Sequence, residues 1–159
     1  MSADSVRAWI AAHAPDLEFI EVEASTATVV EAAEVLGVEP AQIAKSLAVK
    51  AGDHVFLLVT SGTARLDNAK SKAEFGARPR MLGPEDTRAV TGHPVGGVCP
   101  FDLPQGLPVY FDSSLTPLGI VYPAGGSLNT SVRAPVNRLF ELVGERWVDA
   151  CKLPEPPAR

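Results

Sequence analysis

Two stretches of this 159-residue chain carry residue types that chemistry uses. Residues 91–101 read TGHPVGGVCPF, placing Gly96 and Gly97 between Pro94 and Pro100. Proline fixes φ and restricts the residue before it, whereas glycine adopts positive φ without steric cost, so a rigid frame encloses a permissive centre. Without a Cβ at Gly96 or Gly97 a ligand can approach the main chain. Successive N–H groups around Gly96, Gly97, Val98 and Cys99 can then form a concavity for an anion or a developing oxyanion. An ordinary connecting turn has the same composition. The second stretch is IAKSLAV, where Lys45 stands among apolar neighbours. Its stem covers apolar surface, and its head either reaches solvent or supplies a cation at a pocket edge.

Other chemistries find less support. His13, His54 and His93 lie far apart, and none has metal-ligand spacing with a cysteine or carboxylate, so no metal site is expected. Ser61, His93 and Asp112 supply the residue types of a hydrolytic triad, but no G-x-S-x-G elbow exposes a serine. Cys99 is a nucleophile candidate without a neighbouring base in sequence, and a packed thiol is the alternative. Walker and Rossmann fingerprints are both absent, and no cofactor is expected.

The elements that must position these groups follow from periodicity. A helix over 5–13 buries Val6, Trp9 and Ile10 and ends before Pro15, and a strand follows over 17–22. Ser25 or Thr26 caps a helix that turns Val29, Val30, Ala33 and Leu36 inward and closes at Gly37. Pro40 opens a short helical turn, after which 45–50 and 54–60 form a hairpin. A helix over 66–75 is capped by Asp67 or Asn68, a short strand covers 80–82, and another helix runs from Gly83 to about Val90. Strands over 107–112, 120–122 and 128–132, a helix opened by Ala134 and Pro135, and a last strand over 147–150 complete the series. Strands and short helices alternate irregularly, which predicts an α+β fold. One domain is expected over 1–152, with a disordered proline-rich tail over 153–159.

Composition narrows the classes further. No apolar run reaches the roughly 20 residues of a membrane span, and two cysteines, Cys99 and Cys151, read as thiols of a cytoplasmic protein. Net charge is −5, with eight acids against Arg7 alone before Lys45. The densest basic run is Arg65, Lys70, Lys72, Arg78, Arg80 and Arg88, interrupted by acids. An acidic total disfavours tight non-specific binding to nucleic acid and permits a brief, salt-sensitive encounter.

Taken in order, IAKSL, RLD at 65–67, TGHPVGGVCPF, VYFDSSL at 109–115 and AGG at 124–126 resemble the YbaK and prolyl-tRNA-synthetase-associated editing-domain family, over about 25–143. The resemblance implies a mixed, partly barrel-like β-sheet surrounded by short helices. It also implies a free-standing deacylase that hydrolyses mischarged aminoacyl-tRNA, typically tRNA for proline carrying alanine, cysteine or another small residue. Residues 96–100 match the family's G-x-x-x-P loop, ending at Pro100, and Lys45 matches its functional lysine. Mischarged tRNA is the expected partner, a synthetase a possible second one, and DNA and membrane are not expected.

Two departures bear on the substrate. Asp102 stands where the family pattern often has glycine, and SLNTSV follows AGG where many relatives place an acid, so Asn129 or Ser131 replaces a carboxylate. Thr26, Val30, Val98 and Cys99 are the expected pocket walls, with core packing as the alternative for each. Asp112 is a family match that either contacts substrate or holds a nearby loop. A non-catalytic tRNA- or ligand-binding module of the same fold and a Cys99-dependent hydrolase remain the competing functions.

Overall fold

The computed structural model describes residues 2–154. Helix α1 (Ser2–His13) turns Val6 and Ile10 inward, and β1 (Glu18–Glu21) follows. Helix α2 (Val29–Leu36) ends on Gly37 at φ 71°. A 3-10 turn (Pro40–Gln42) then feeds β2 (Ile43–Ala51) and β3 (His54–Ser61). These two strands form the expected hairpin, with Ala51 opposite His54 and Gly52 at φ 61° in the two-residue turn. Strand β3 is buried on both faces beyond its exposed first residue, so it reads as the continuous apolar run VFLLV: Leu57 and Val59 enter one core cluster, Phe56 and Leu58 another.

Next come β4 (Arg65–Leu66), α3 (Asn68–Phe75), β5 (Arg80–Met81) and α4 (Pro84–Thr91). Asp67 caps α3 by accepting the Lys70 N–H at 3.0 Å. Strands β6 (Val109–Asp112), β7 (Ile120–Pro123) and β8 (Thr130–Pro135) lead to α5 (Val136–Val143), β9 (Arg146–Val148) and β10 (Cys151–Lys152). The main sheet follows the open path β1-β8-β7-β2-β3-β6-β9, with β5 attached to β2. The β2–β7, β3–β6 and β6–β9 pairs are parallel and the others antiparallel, so the sheet is mixed, as the α+β reading expected. The larger core cluster joins α1 and α5 to one sheet face, and the second lies toward α3 and the separate β4–β10 ribbon.

Two local expectations are corrected. The cap of α2 is Thr28, whose Oγ1 accepts the Glu31 N–H at 3.1 Å, because Thr26 is held elsewhere: its N–H donates to Leu128 O at 2.7 Å. Starting the helix later rotates its buried stripe to Val29, Ala32, Ala33 and Leu36 and leaves Val30 69% exposed. Strands β4 and β10, at two residues each, are too short for any period-two pattern to show. Of the tail expected to be disordered, residues 155–159 lie outside the described residues.

Candidate active site

The site begins as a gap in strand pairing. On one edge β2 pairs with β7 at Ile43 and Ala44 and with β5 at Val49 and Lys50. Among the described residues no strand pairs with Lys45, Ser46 and Leu47 on that edge, while Ala48 O accepts the Leu82 N–H at 3.0 Å. A cavity of about 230 Å³ opens along this gap. Its walls are the approach to α2 (Thr26, Ala27, Thr28, Val29), Ala32, β2 itself, Leu82 and Thr87, the loop residues Val95, Gly96 and Val98, and Tyr122, Ala124 and Ser131. Small and apolar side chains dominate, and Lys45 is the one charged residue among the described lining. Met81 and Val95, each 55% exposed, contribute apolar surface to the lining.

Lys45 Nζ donates to Ala64 O at 2.6 Å, leaving two further N–H groups. Burial of its stem lowers the ammonium pKa, the nearby Cys151 thiol opposes that shift, and the Arg65 guanidinium adds to it. Successive β2 side chains alternate, so Ser46 faces opposite to Lys45, with Ala44 and Ala48. Ser46 Oγ is buried, lines the cavity and has no hydrogen-bond partner among the described residues. A buried hydroxyl left unpaired costs free energy unless something fills the site. This residue was missed in the sequence, although a serine between two alanines on a core-facing strand face breaks the apolar period and is a usable signal.

The glycine loop is held by packing as well as by its prolines. A Cβ on Gly97 would stand 2.6 Å from Ser127 N and 2.8 Å from Gly126 C and Ser127 Cα, so this loop lies backbone to backbone on the 126–127 turn. Gly96, at φ 93°, is instead crowded by side chains, where a Cβ would stand 2.6 Å from Leu128 Cδ2 and 3.1 Å from Ala27 Cβ. The close approach that the missing Cβ atoms permit is therefore that of another loop. The Gly97 N–H donates to Pro94 O at 2.9 Å and is spent. Those of Gly96 and Val98, both cavity residues, have no acceptor among the described residues. Pro100 is buried and outside the lining.

The remaining expected residues separate. Thr26 lines the cavity, while Val30 lies outside its lining because of the phase of α2. Cys99 is fully buried and also outside it; burial pushes its thiol up to about 12, and Sγ lies 3.5 Å from His93 Nε2. His93 is itself buried between Ser2 Oγ at Nδ1 (2.5 Å) and Phe101 O at Nε2 (2.8 Å). Burial lowers its pKa against the opposing effects of Phe101 O and Asp102. Asp112 accepts the Ser114 and Ala150 N–H groups at 2.9 and 2.8 Å, while Ser61 Oγ donates to Ala41 O, so no Ser61–His93–Asp112 triad forms. Asn129 is likewise occupied, donating through Nδ2 to Val22 O at 2.9 Å and accepting from Ser127 Oγ at 2.9 Å, and it is Ser131 that reaches the cavity. Asp102 takes φ 52°, the left-handed region that explains why glycine suits this position.

Comparison with known proteins agrees with this architecture. Residues 23–142 match the model of the aminoacyl-tRNA editing domain. The uncharacterized protein YwhH of Bacillus subtilis (strain 168) is 42% identical over 154 residues, which is 96% of this chain and 98% of that protein. A crystal structure described as a candidate trans-editing enzyme for prolyl tRNA synthetase superposes with TM-score 0.86 at 34% identity, covering 95% of this chain and 97% of that one. The hypothetical protein APE2540 gives TM-score 0.84 at 31% identity, over 92% of this chain and 99% of that one. With the pocket, the glycine loop and the lysine all inside the matched span, the chain belongs to the aminoacyl-tRNA editing domain family.

Proposed function

We propose that this protein is a free-standing deacylase that hydrolyses the ester of mischarged tRNA, with tRNA for proline carrying alanine or another small residue as its substrate. One observation carries the reading: a cavity of about 230 Å³, walled by Ala27, Ala32, Ala44, Ala48, Gly96 and Val98, lies beside a single lysine. A first binding site discriminates by only about 1–3 kcal/mol per methylene, so a second, size-limited hydrolytic site is the usual remedy. The similarity to a candidate trans-editing enzyme for prolyl tRNA synthetase supports proline as the tRNA's cognate residue.

The ester between an amino acid and the terminal ribose is activated enough for positioning and charge stabilisation to carry the rate. The acyl group enters the cavity. Lys45 orients the terminal nucleotide, and water, positioned by the free ribose hydroxyl, attacks the carbonyl carbon. Negative charge developing on the carbonyl oxygen is met by the Gly96 and Val98 N–H groups, since that of Gly97 is already bonded. Collapse breaks the ester C–O bond, and the ribose oxygen takes up the proton lost by the attacking group. The reading gives Ser46 Oγ and Ser131 to the polar atoms of the bound amino acid in place of a carboxylate. Cys99 serves here as packing, because a fully buried thiol raised to about 12 supplies almost no thiolate at neutral pH.

The test is a deacylation time course on tRNA for proline charged separately with alanine, cysteine, serine and proline, comparing the parent with Lys45→Ala. Release of a small residue with proline spared, and a rate at least about 100-fold lower in a folded Lys45→Ala, is the expected result. Equal rates in variant and parent would sink the mechanism, and release of proline would sink the size rule.

A further inference from the structure

Lys45 lines a second cavity as well, of about 810 Å³, together with Gly62, Thr63, Arg65, Lys152, Leu153 and Pro154. That lining holds three cations and no carboxylate among the described residues. Arg65 and Lys152 stand directly opposite each other on the β4–β10 ribbon, an arrangement in which like charges repel. The ribbon is also where a cation next to Lys45 is costly, and Arg65 does act on Lys45 electrostatically. Carboxylates on neighbouring elements are engaged elsewhere. Asp67 caps α3, Asp149 pairs with Lys70 at 3.1 Å, Glu74 accepts the Asp149 N–H, and Asp112 holds two backbone N–H groups. No described carboxylate forms an ion pair with Lys45, Arg65 or Lys152. Three cations gathered around a concavity in a chain of net charge −5 are arranged for a polyanion.

We propose that this basin binds the phosphodiester backbone of a single-stranded RNA 3′ end, with Arg65 and Lys152 on the phosphates and Lys45 at the junction between phosphate and acyl cavities. The inference rests on the proposed function and deepens it. A substrate whose acyl group occupies the smaller cavity passes Lys45 and runs its first internucleotide phosphates into the larger one. The RLD stretch thereby gains a role for its arginine beyond the helix cap provided by its aspartate.

The experiment compares the parent with Arg65→Gln/Lys152→Gln in two assays. In the first, a fluorescently labelled CCA trinucleotide is titrated at several salt concentrations. In the second, alanyl-tRNA and alanyl-adenosine, which has no phosphate, are deacylated side by side. Expected for the double variant are roughly tenfold weaker trinucleotide binding and a salt slope shallower by about 1.4, the value for two phosphate contacts on a single strand. KM for alanyl-tRNA rises correspondingly, kcat stays within about twofold, and alanyl-adenosine turnover matches the parent. Parent-like trinucleotide binding in the double variant, or no trinucleotide binding by the parent, overturns the basin. So does an equal loss on both acyl substrates, since that reports damage at Lys45. If the parent deacylates neither substrate, the proposed function fails, while the trinucleotide titration still decides whether the basin binds RNA.

Discussion

Gly97→Ala puts a single methyl group where the glycine loop rests on the 126–127 turn. The new Cβ would lie 2.6 Å from Ser127 N, whereas ordinary contact begins at 3.4 Å, so one backbone must retreat by about 0.8 Å. The turn has little room to do so. Behind it α1 is close enough that a Cβ on Gly126 would meet Ser2 Oγ and Val6 Cγ2 at 2.9 Å, and Thr130 ties it through the Ser127 N–H at 3.2 Å and the Gly125 N–H at 3.0 Å. The glycine loop is therefore the segment that moves, and it carries the Gly96 and Val98 N–H groups with it. Overpacking of this kind costs about 1–3 kcal/mol, a fall in the urea midpoint of about 1 M for a domain this size. A displacement approaching 1 Å in a charge-stabilising pair costs about 100-fold in rate. Urea denaturation and single-turnover deacylation of alanyl-tRNA read the two effects separately, with Gly76→Ala as the comparison. Gly76, at φ 75° in open space, should lose about 1 kcal/mol from its backbone conformation and no turnover. A Gly97→Ala protein as stable as the parent would refute the packing account. One that is destabilised yet turns over at the parental rate would refute the role given to the neighbouring N–H groups.

Three further outcomes are expected. Cys99→Ser should keep deacylation within about threefold while losing about 1–3 kcal/mol of stability, because a buried hydroxyl replaces a buried thiol; a loss of rate beyond 100-fold would restore the thiol as nucleophile. His93 is held neutral by burial, so the unfolded chain takes up its proton more readily and stability is full above pH 6.5 and declines as pH falls below it. Urea midpoints at pH 7.5 and 5 should therefore fall further in the parent than in His93→Gln, and equal falls would contradict this. Asp112→Ala should lose about 2–4 kcal/mol, roughly 5–15 °C in Tm, by leaving the Ser114 and Ala150 N–H groups unpaired, with normal turnover by the folded fraction; a specific rise in KM would instead indicate substrate contact.

What the sequence made legible, and what it hid, divides along the range of the interactions. The β2–β3 hairpin was readable because two largely apolar runs joined by a glycine-bearing two-residue turn are local signals. The start of α2 was not, since Ser25, Thr26 and Thr28 are all good caps. The choice among them is made by Leu128, about a hundred residues away, whose carbonyl takes the Thr26 N–H. The glycine loop was recognised as a place of close approach, but sequence does not reveal what approaches, and Gly97 meets the Ser127 main chain. Asp112 and Asn129 matched positions of interest and proved to be engaged with backbone groups, which short polar side chains do readily. Lys45, Thr26, Gly96 and Val98 do converge on one cavity, and Ser46 and Ser131 add two hydroxyls to its lining.

The fork in the pairing of β2 means that the cavity is a slot ruled off along a central strand. The unpaired residues Lys45, Ser46 and Leu47 span about 10 Å at the ordinary rise, and the strand pairs beyond both limits are hydrogen-bonded. Widening the slot would require β5 or β7 to slip in register, and a one-residue slip turns every side chain to the opposite face. Its fittings are cheaper to change: Ala27, Ala32, Ala44 and Ala48 each present a single methyl group to the interior. The space open to a ligand is thus adjustable one carbon at a time, while its gauge stays fixed by the strand register.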